Sequence, residues 1–288
     1  MKPFALITAL LATATSLPAQ SKTADVVIKA VHAAKNVYML EGSGGNIGVS
    51  AGPDGLLIVD DQFVPLAPRI EAALKELNPG PLKFVLNTHF HGDHTGGNAY
   101  FGQHAHIVAH ENVRERMATT AGTNTAGLPV ITFDQSLHFH FNGEEIRMHH
   151  VLNGHTDGDS FIHFTGANVV HLGDQFFSGR FPFIDLNAGG SIKGYIRNVA
   201  DALETIPEDA KIIPGHGPLS TKKELREFHE MLVATSAIVE KAIADGKTLE
   251  QVKTAGLPEK WKSWDWPSIS TAQWLDILYR GSGKPVGK

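Results

Sequence analysis

The sequence predicts a single α+β domain, and three observations support that expectation. Apolar runs of strand length alternate with longer segments of helical periodicity along most of the chain. Clusters of Gly, Pro, Asn and Asp punctuate the boundaries between them. No repeat, low-complexity tract or linker interrupts the 288 residues, whose 42% hydrophobic and 19% charged content can bury a sizeable core.

Four strands open the domain, at residues 25–28, 37–40, 47–49 and 56–60. Turns at Gly42-Ser43-Gly44-Gly45-Asn46 and Gly52-Pro53-Asp54-Gly55 separate them. Residues 65–78 form an amphipathic helix with Ile70, Leu74 and Leu77 on one face, stopped by Asn78-Pro79-Gly80. A short buried strand, Lys83-Phe84-Val85-Leu86-Asn87, comes next. It is followed by a strand at 107–109, a helix at 110–118 and a hairpin of 136–141 with 146–151 around Asn142-Gly143. A second strand pair at 161–164 and 169–172, a helix at 194–205 and a strand at 211–213 lead to a long helix at 222–245. A last helix is expected at 271–279.

Residues 1–20 read as an export signal. Lys2 supplies a minimal positive region, residues 4–17 are apolar or small, and Pro18-Ala19-Gln20-Ser21 offers a cleavage site. The single domain then spans residues 21–288, in the periplasm or outside the cell, with no membrane attachment once the signal is removed. The absence of cysteine rules out disulfides, thiolate metal sites, cysteine nucleophiles and a lipoprotein anchor. A formal net charge of −5 without any basic run argues against nucleic acid as a partner and leaves a small-molecule substrate.

The chemistry concentrates in His89-Phe90-His91-Gly92-Asp93-His94, directly after the buried strand. Four metal-competent side chains within six residues cannot all face one ion from a regular helix or strand. From a loop leaving a strand end, two can face one metal and two its neighbour. Sixteen histidines make an isolated His-x-His weak, but His-x-His-x-Asp-His is far more specific. Three more candidate ligands sit in small-residue loops that end apolar runs: Gly154-His155-Thr156, Leu172-Gly173-Asp174 and Pro214-Gly215-His216-Gly217. Imidazoles and carboxylates without thiolates favour zinc, manganese or iron.

With these motifs the chain resembles the metallo-β-lactamase-fold hydrolase superfamily over most of its length. The resemblance implies a four-layer αβ/βα sandwich, with two mixed sheets face to face, helices outside and metals at one edge between the sheets. It assigns His89, His91 and His155 to a first metal and Asp93, His94 and His216 to a second, with Asp174 bridging. Two Zn2+ ions are the expected cofactors, with iron or manganese as alternatives. Two such ions about 3.5–4 Å apart make hydroxide available at neutral pH. That hydroxide would open an amide or ester bond, with Asp93 as the catalytic residue that orients it and passes its proton to the leaving group.

Asp174 also marks a departure from the best-known β-lactamases. One group has cysteine near this position followed by a substrate-gripping lysine, where this chain has Phe177. A bridging carboxylate is more typical of thioesterase, lactonase and phosphodiesterase relatives. The expected function is therefore a β-lactamase-like zinc hydrolase, with a lactonase or thioesterase as the alternative. An iron-dependent redox enzyme and a non-catalytic metal-binding protein are further readings. Arg180 or Lys193 could grip a substrate carboxylate or remain solvated charges. Phe176, Phe177, Phe181 and Phe183 suit either a wall beside the second metal or the core. Trp261, Trp264, Trp266 and Trp274 read as pins for the terminal helix, with a lid as the alternative. Residues 42–46 read as a tight hairpin. His104, His106, His138, His140, His149 and His150 read as surface or hydrogen-bonded residues, and His163 and His171 as packed ones.

Overall fold

A computed structural model describes residues 25–283. The proposed export signal lies outside the described residues. The strands in chain order are β1 (Lys29–Ala34), β2 (Val37–Glu41), β3 (Ile47–Gly52), β4 (Gly55–Val59), β5 (Leu82–Leu86), β6 (His106–His110), β7 (Ile131–Phe133), β8 (Ser136–Phe141), β9 (Glu144–His150), β10 (Ser160–Phe164), β11 (Val169–His171) and β12 (Lys211–Ile213). The helices are α1 (Ala67–Leu77), α2 (Gly92–Thr95), α3 (Asn98–Phe101), α4 (Glu111–Thr119), α5 (Ile192–Thr205), α6 (Lys222–Ala244), α7 (Leu249–Ala255) and α8 (Thr271–Gly281).

Strands β1 to β7 form one sheet in sequence order, antiparallel from β1 to β4 and parallel from β4 to β7. The second sheet runs β12-β11-β10-β9-β8, with β11 and β12 parallel and the remaining pairs antiparallel. Both sheets are mixed, as expected. Their inner faces meet in a core where Met39, Leu57, Val59 and Val108 from one pack with Ile146, Ile162, Val169 and Ile213 from the other.

Helices cover both outer faces. Ile70 and Leu74 of α1 pack on Ile47, Ile58 and Val85 of the first sheet. Tyr195 and Val199 of α5, Phe228 and Leu232 of α6, and Trp274 of α8 pack on Val170 and Ile212 of the second. This is the αβ/βα sandwich. Capping boxes at Thr221–Glu224, Thr248–Gln251 and Ser270–Gln273 start α6, α7 and α8 by satisfying free backbone N–H groups. Trp274 is fully buried, stacks on Phe181 at 6.0 Å and donates from Nε1 to Thr235 Oγ1 at 3.0 Å. Burial on that scale contributes about 3 kcal/mol and seats the terminal helix.

The elements furthest from expectation are the first strand, β7 and α7. The first strand is Lys29–Ala34 and not residues 25–28. Val26 and Ile28 instead lie partly buried against the α1 face, while the real edge strand is alanine-rich and breaks register between His32 and Ala34. The three-residue β7 pairs in parallel with β6, and α7 is held against α8. Neither shows enough periodicity by itself to be foreseen.

Topology brings the functional loops to one edge. Strands β4 and β5 run parallel, so Asp60 and the 88–94 loop leave the first sheet on the same side. The β2–β3 turn joins them because β2 lies two antiparallel steps from β4. In the second sheet, β9, β11 and β12 all end on one side and deliver the loops of His155, Asp174 and His216. Ligand sites commonly lie beyond the carboxyl ends of strands for this reason.

Candidate metal centre

All seven sequence-predicted ligands converge at that edge. One potential ligand atom from each of His89, His91, His155 and Asp174 lies within 4.8 Å of the others, and the same holds for Asp93, His94 and His216. In the first group, His91 Nδ1 is 2.8 Å from His155 Nε2. Asp174 Oδ2 is 3.4 Å from His155 Nε2 and 3.8 Å from His89 Nε2. In the second, Asp93 Oδ2 is 3.3 Å from His216 Nε2 and 3.7 Å from His94 Nε2. Asp174 Oδ1 turns to this group, 3.0 Å from His94 Nε2 and 3.4 Å from His216 Nε2. The two oxygens of one carboxylate therefore face the two groups.

The residues fit a pair of cations. His89 Nε2 is buried without a hydrogen-bond partner, a cost that a bound ion would remove. A tetrahedral ion with bonds of about 2.0–2.1 Å sets its ligand atoms roughly 3.3 Å apart, close to most of these separations. Glycines permit the approach. A Cβ on Gly45 would fall 2.1 Å from His94 Cε1, and one on Gly215 would fall 2.1 Å from Asp174 Oδ1.

The opposite edges of the imidazoles are occupied too. His155 Nδ1 donates to Phe183 O at 2.8 Å, and His91 Nε2 meets Asp185 Oδ2 at 3.0 Å. His94 Nδ1 donates to Asp60 Oδ2 at 2.7 Å. Thr88 Oγ1 donates to the same oxygen at 2.7 Å and takes the Nδ1 proton of His89 at 3.0 Å. Asp60 thus fixes the tautomer of one histidine in each group, turning both Nε2 lone pairs towards the centre. His216 is braced differently, stacked on Phe177 at 4.9 Å.

Sequence reasoning missed Asp60 and Asp185. The available signal for Asp60 was a pair of carboxylates, Asp60-Asp61, closing an apolar strand at the edge where the ligand loops emerge. The β2–β3 turn is the expected tight hairpin and also a clasp between the sheets. Gly45 N donates to Asp93 O at 3.0 Å, and Asn46 Nδ2 donates to Pro214 O at 2.9 Å and Gly217 O at 2.8 Å. His171 Nε2 donates to Asn46 O at 3.1 Å, which places it among the packed histidines as read. Thr156 engages Asp159, and Asp157 engages Arg116, so neither orients His155 through its side chain.

Burial holds His89 well below the usual histidine range and His155 at about 4. Both are neutral and ready to bind a cation. Burial also opposes charge on His94 and His216, yet the facing carboxylates prevail, raising His94 and placing His216 at about 9. For Asp174, burial favours the neutral acid, but the four surrounding imidazoles outweigh it and keep the carboxyl well below its usual range.

A pH dependence follows for metal loading. His216 titrates at about 9 when metal-free, against 6.5 for an ordinary histidine, so its proton must leave before a cation binds. That proton stabilises the metal-free fold fully below 6.5, and the contribution is lost as pH rises through about 9. Metal affinity of the Asp93–His94–His216 group should move the other way, rising between those values. Calorimetric titration with zinc in buffers of differing ionisation enthalpy counts the protons released from His216 and His94. An affinity flat across that range would contradict the assignment.

A cleft of about 790 Å³ opens over the centre. Phe177, Phe183 and Trp266 line it, together with Asp93, Asp174 and His216. The four phenylalanines thus divide. Phe176 and Phe181 are core, Phe177 is buried but faces the cleft, and Phe183 is 39% exposed at its rim. The tryptophans divide as well, with Trp261, Trp264 and Trp274 buried and Trp266 forming wall.

A helix-flanked pair of mixed sheets with a histidine–aspartate nest at their common edge defines the metallo-β-lactamase fold. The family model described as the metallo-beta-lactamase superfamily matches residues 33–216, and the chain belongs to that superfamily. Hydroxyacylglutathione hydrolase of Pelagibacter ubique (strain HTCC1062) is 27% identical over 140 residues, covering 47% of this chain and 52% of the relative. The chain therefore spans about half the length of that relative. A probable metallo-hydrolase, YqgX, of Bacillus subtilis (strain 168) is 28% identical over 178 residues, covering 56% of this chain and 83% of the relative. Among solved structures, a metallo-beta-lactamase from Pontibacter korlensis superposes with TM-score 0.61 at 17% identity, covering 71% of this chain and 98% of that one.

Proposed function

We propose that this chain is a dinuclear metal-dependent hydrolase, most readily zinc-loaded, that cleaves an acyl ester or thioester bond. The observation that carries the reading is Asp174, whose two carboxylate oxygens each face a separate group of histidine nitrogens. His89, His91, His155 and Asp174 would hold one ion, and Asp93, His94, His216 and Asp174 the other. When bound, such ions make hydroxide available near neutral pH and polarise an acyl oxygen.

The chain's own residues then set the scope of the reaction. Asp60, Asp185, Thr88 and the Phe183 carbonyl hold the ligand imidazoles in register. Asp93 lines the cleft. Burial works against its charge, but His94 and His216 lower its pKa, so at neutral pH it accepts and orients a proton more readily than it donates one. That favours leaving groups such as thiolates, which depart with little help from an acid, over amide nitrogen. The name of the hydroxyacylglutathione hydrolase relative points to the same chemistry.

The test compares S-lactoylglutathione, a γ-lactone and nitrocefin with zinc-loaded and chelated protein, alongside elemental analysis. Turnover of the thioester or lactone above that of nitrocefin, abolished by chelation and accompanied by two ions per chain, is expected. A two-ion protein inert towards all three substrates would sink the proposal.

A further inference from the structure

A second depression, of about 390 Å³, adjoins the metal cleft, and the two share His91 and Gly92 as their common boundary. The neighbouring segment divides in the same way, with Phe63 lining the cleft and Val64 the depression. Gly92 is the exposed part of that boundary. A Cβ there would meet nothing within 4 Å, and its φ is not in the left-handed region. Neither its backbone nor a close neighbour therefore requires glycine, in contrast to Gly45 and Gly215. What the missing side chain leaves free is the passage between the two hollows.

Val64, Phe90, Ala99 and Met117 line the depression, and among the described residues that border it none is Asp, Glu, Lys or Arg. The polar side chains at its edge are bound by the chain itself. Thr95 Oγ1 donates to Phe90 O at 3.1 Å, and Thr120 Oγ1 donates to Arg116 O at 2.9 Å. Asn98 Nδ2 donates to Gly127 O at 3.0 Å, while its Oδ1 accepts from Asn87 Nδ2 at 3.1 Å. Asn124 Oδ1 accepts from Ala126 N at 3.1 Å. Their hydrogen-bonding capacity is largely taken up, so the hollow suits a neutral apolar occupant and offers little to a polar one.

The wall is also preformed. Phe90 and Leu128 pack against Ala109, Val113 and Met117. The Arg116 guanidinium lies 5.5 Å from the Phe90 ring centroid and is itself held by Asp157 through two nitrogens.

We infer that this depression is an acyl-chain subsite: the unbranched aliphatic chain of a substrate crosses Gly92 from the metal cleft and lies between Val64, Phe90, Ala99 and Met117. The inference rests on the hydrolase reading above and narrows its substrate class to acyl compounds of medium chain length.

The experiment has a binding arm and a turnover arm, both with the zinc-loaded full chain. Calorimetry compares octanohydroxamate with acetohydroxamate, which share a metal-seeking head and differ only in chain. The native protein should bind the longer at least about tenfold more tightly, since each fully buried methylene contributes up to about fourfold. Ala99→Phe fills the hollow, and Val64→Asp charges it at a position that is 50% exposed and tolerant of substitution. Each should bring the ratio of affinities to within about threefold of one. The Val64 variant keeps the test decisive if the crowded Ala99 variant does not fold. A ratio that survives in the folded variants places the chain in the wider cleft beside Phe177 and Trp266 and overturns the subsite. So does a native ratio near one.

In the turnover arm, p-nitrophenyl octanoate and p-nitrophenyl acetate share one leaving group. The native kcat/KM ratio should favour octanoate by about tenfold or more, and both variants should collapse it. Equal losses on the two esters would leave the ratio intact and refute the subsite. Turnover of both esters without chain preference keeps the hydrolase and removes the subsite. If neither ester is hydrolysed while the hydroxamate ratio follows Val64 and Ala99, the hydrolase reading fails and the subsite stands.

Discussion

Replacing Asp174 with alanine is expected to lower kcat/KM for the best acyl substrate by about a thousandfold or more, the upper range for removing one electrostatic group at a reacting centre. The reason is geometric. This one carboxylate lies 3.0–3.4 Å from His94, His216 and His155 nitrogens, so its removal takes a ligand from both groups at once. Metal content should fall from two ions towards one in the same preparation. Asp174→Glu should rescue poorly, because the Gly215 backbone lies directly against the Asp174 oxygen and leaves no room for another methylene. Elemental analysis with steady-state kinetics reads both effects, and circular dichroism checks that the sandwich persists. Activity within tenfold of native would show that no shared carboxylate is needed.

Asp60→Asn should be the most costly change among residues that touch neither cation position. The Asp60 side chain is fully buried and accepts from Thr88 N at 2.8 Å, Thr88 Oγ1 at 2.7 Å and His94 Nδ1 at 2.7 Å. An amide of the same shape must turn its NH2 towards one of these donors. A buried donor–donor conflict and the lost charge together cost about 3 kcal/mol. For a chain of this size that lowers Tm by roughly 6–12 °C. Metal affinity should fall about 10–100-fold at both positions, since Asp60 governs the His94 tautomer directly and that of His89 through Thr88. Asp185→Asn provides the comparison. Among the ligand histidines it contacts only His91, and it is 19% exposed, so water can replace the lost contact and the effect should be smaller. Thermal melts and competitive zinc chelation measure the pair. Equal effects from the two substitutions would remove the special role given to Asp60.

Much of the centre was legible because its chemistry is local. His89, His91, Asp93 and His94 share one loop, and His155, Asp174 and His216 each follow a strand and sit beside glycine. Gly215 shows why that glycine matters, since a side chain there would occupy the space of the carboxylate it faces. Asp60 and Asp185 were not legible, since each acts through contacts to residues 34 and 94 positions away. The partners of the other histidines were not legible either. His110 and His150 stack on each other at 3.8 Å, and His138 pairs with Glu145.

The chain's own order of residues determined the alternation of strands with helices and the ligand chemistry, because periodicity and side-chain donor type are properties of neighbours in sequence. Only the tertiary structure decided which carboxylate faces both groups, which acids hold the imidazoles and which tryptophan turns from core to cleft. Those depend on distances across two sheets, which strand register and close packing set and no local pattern encodes.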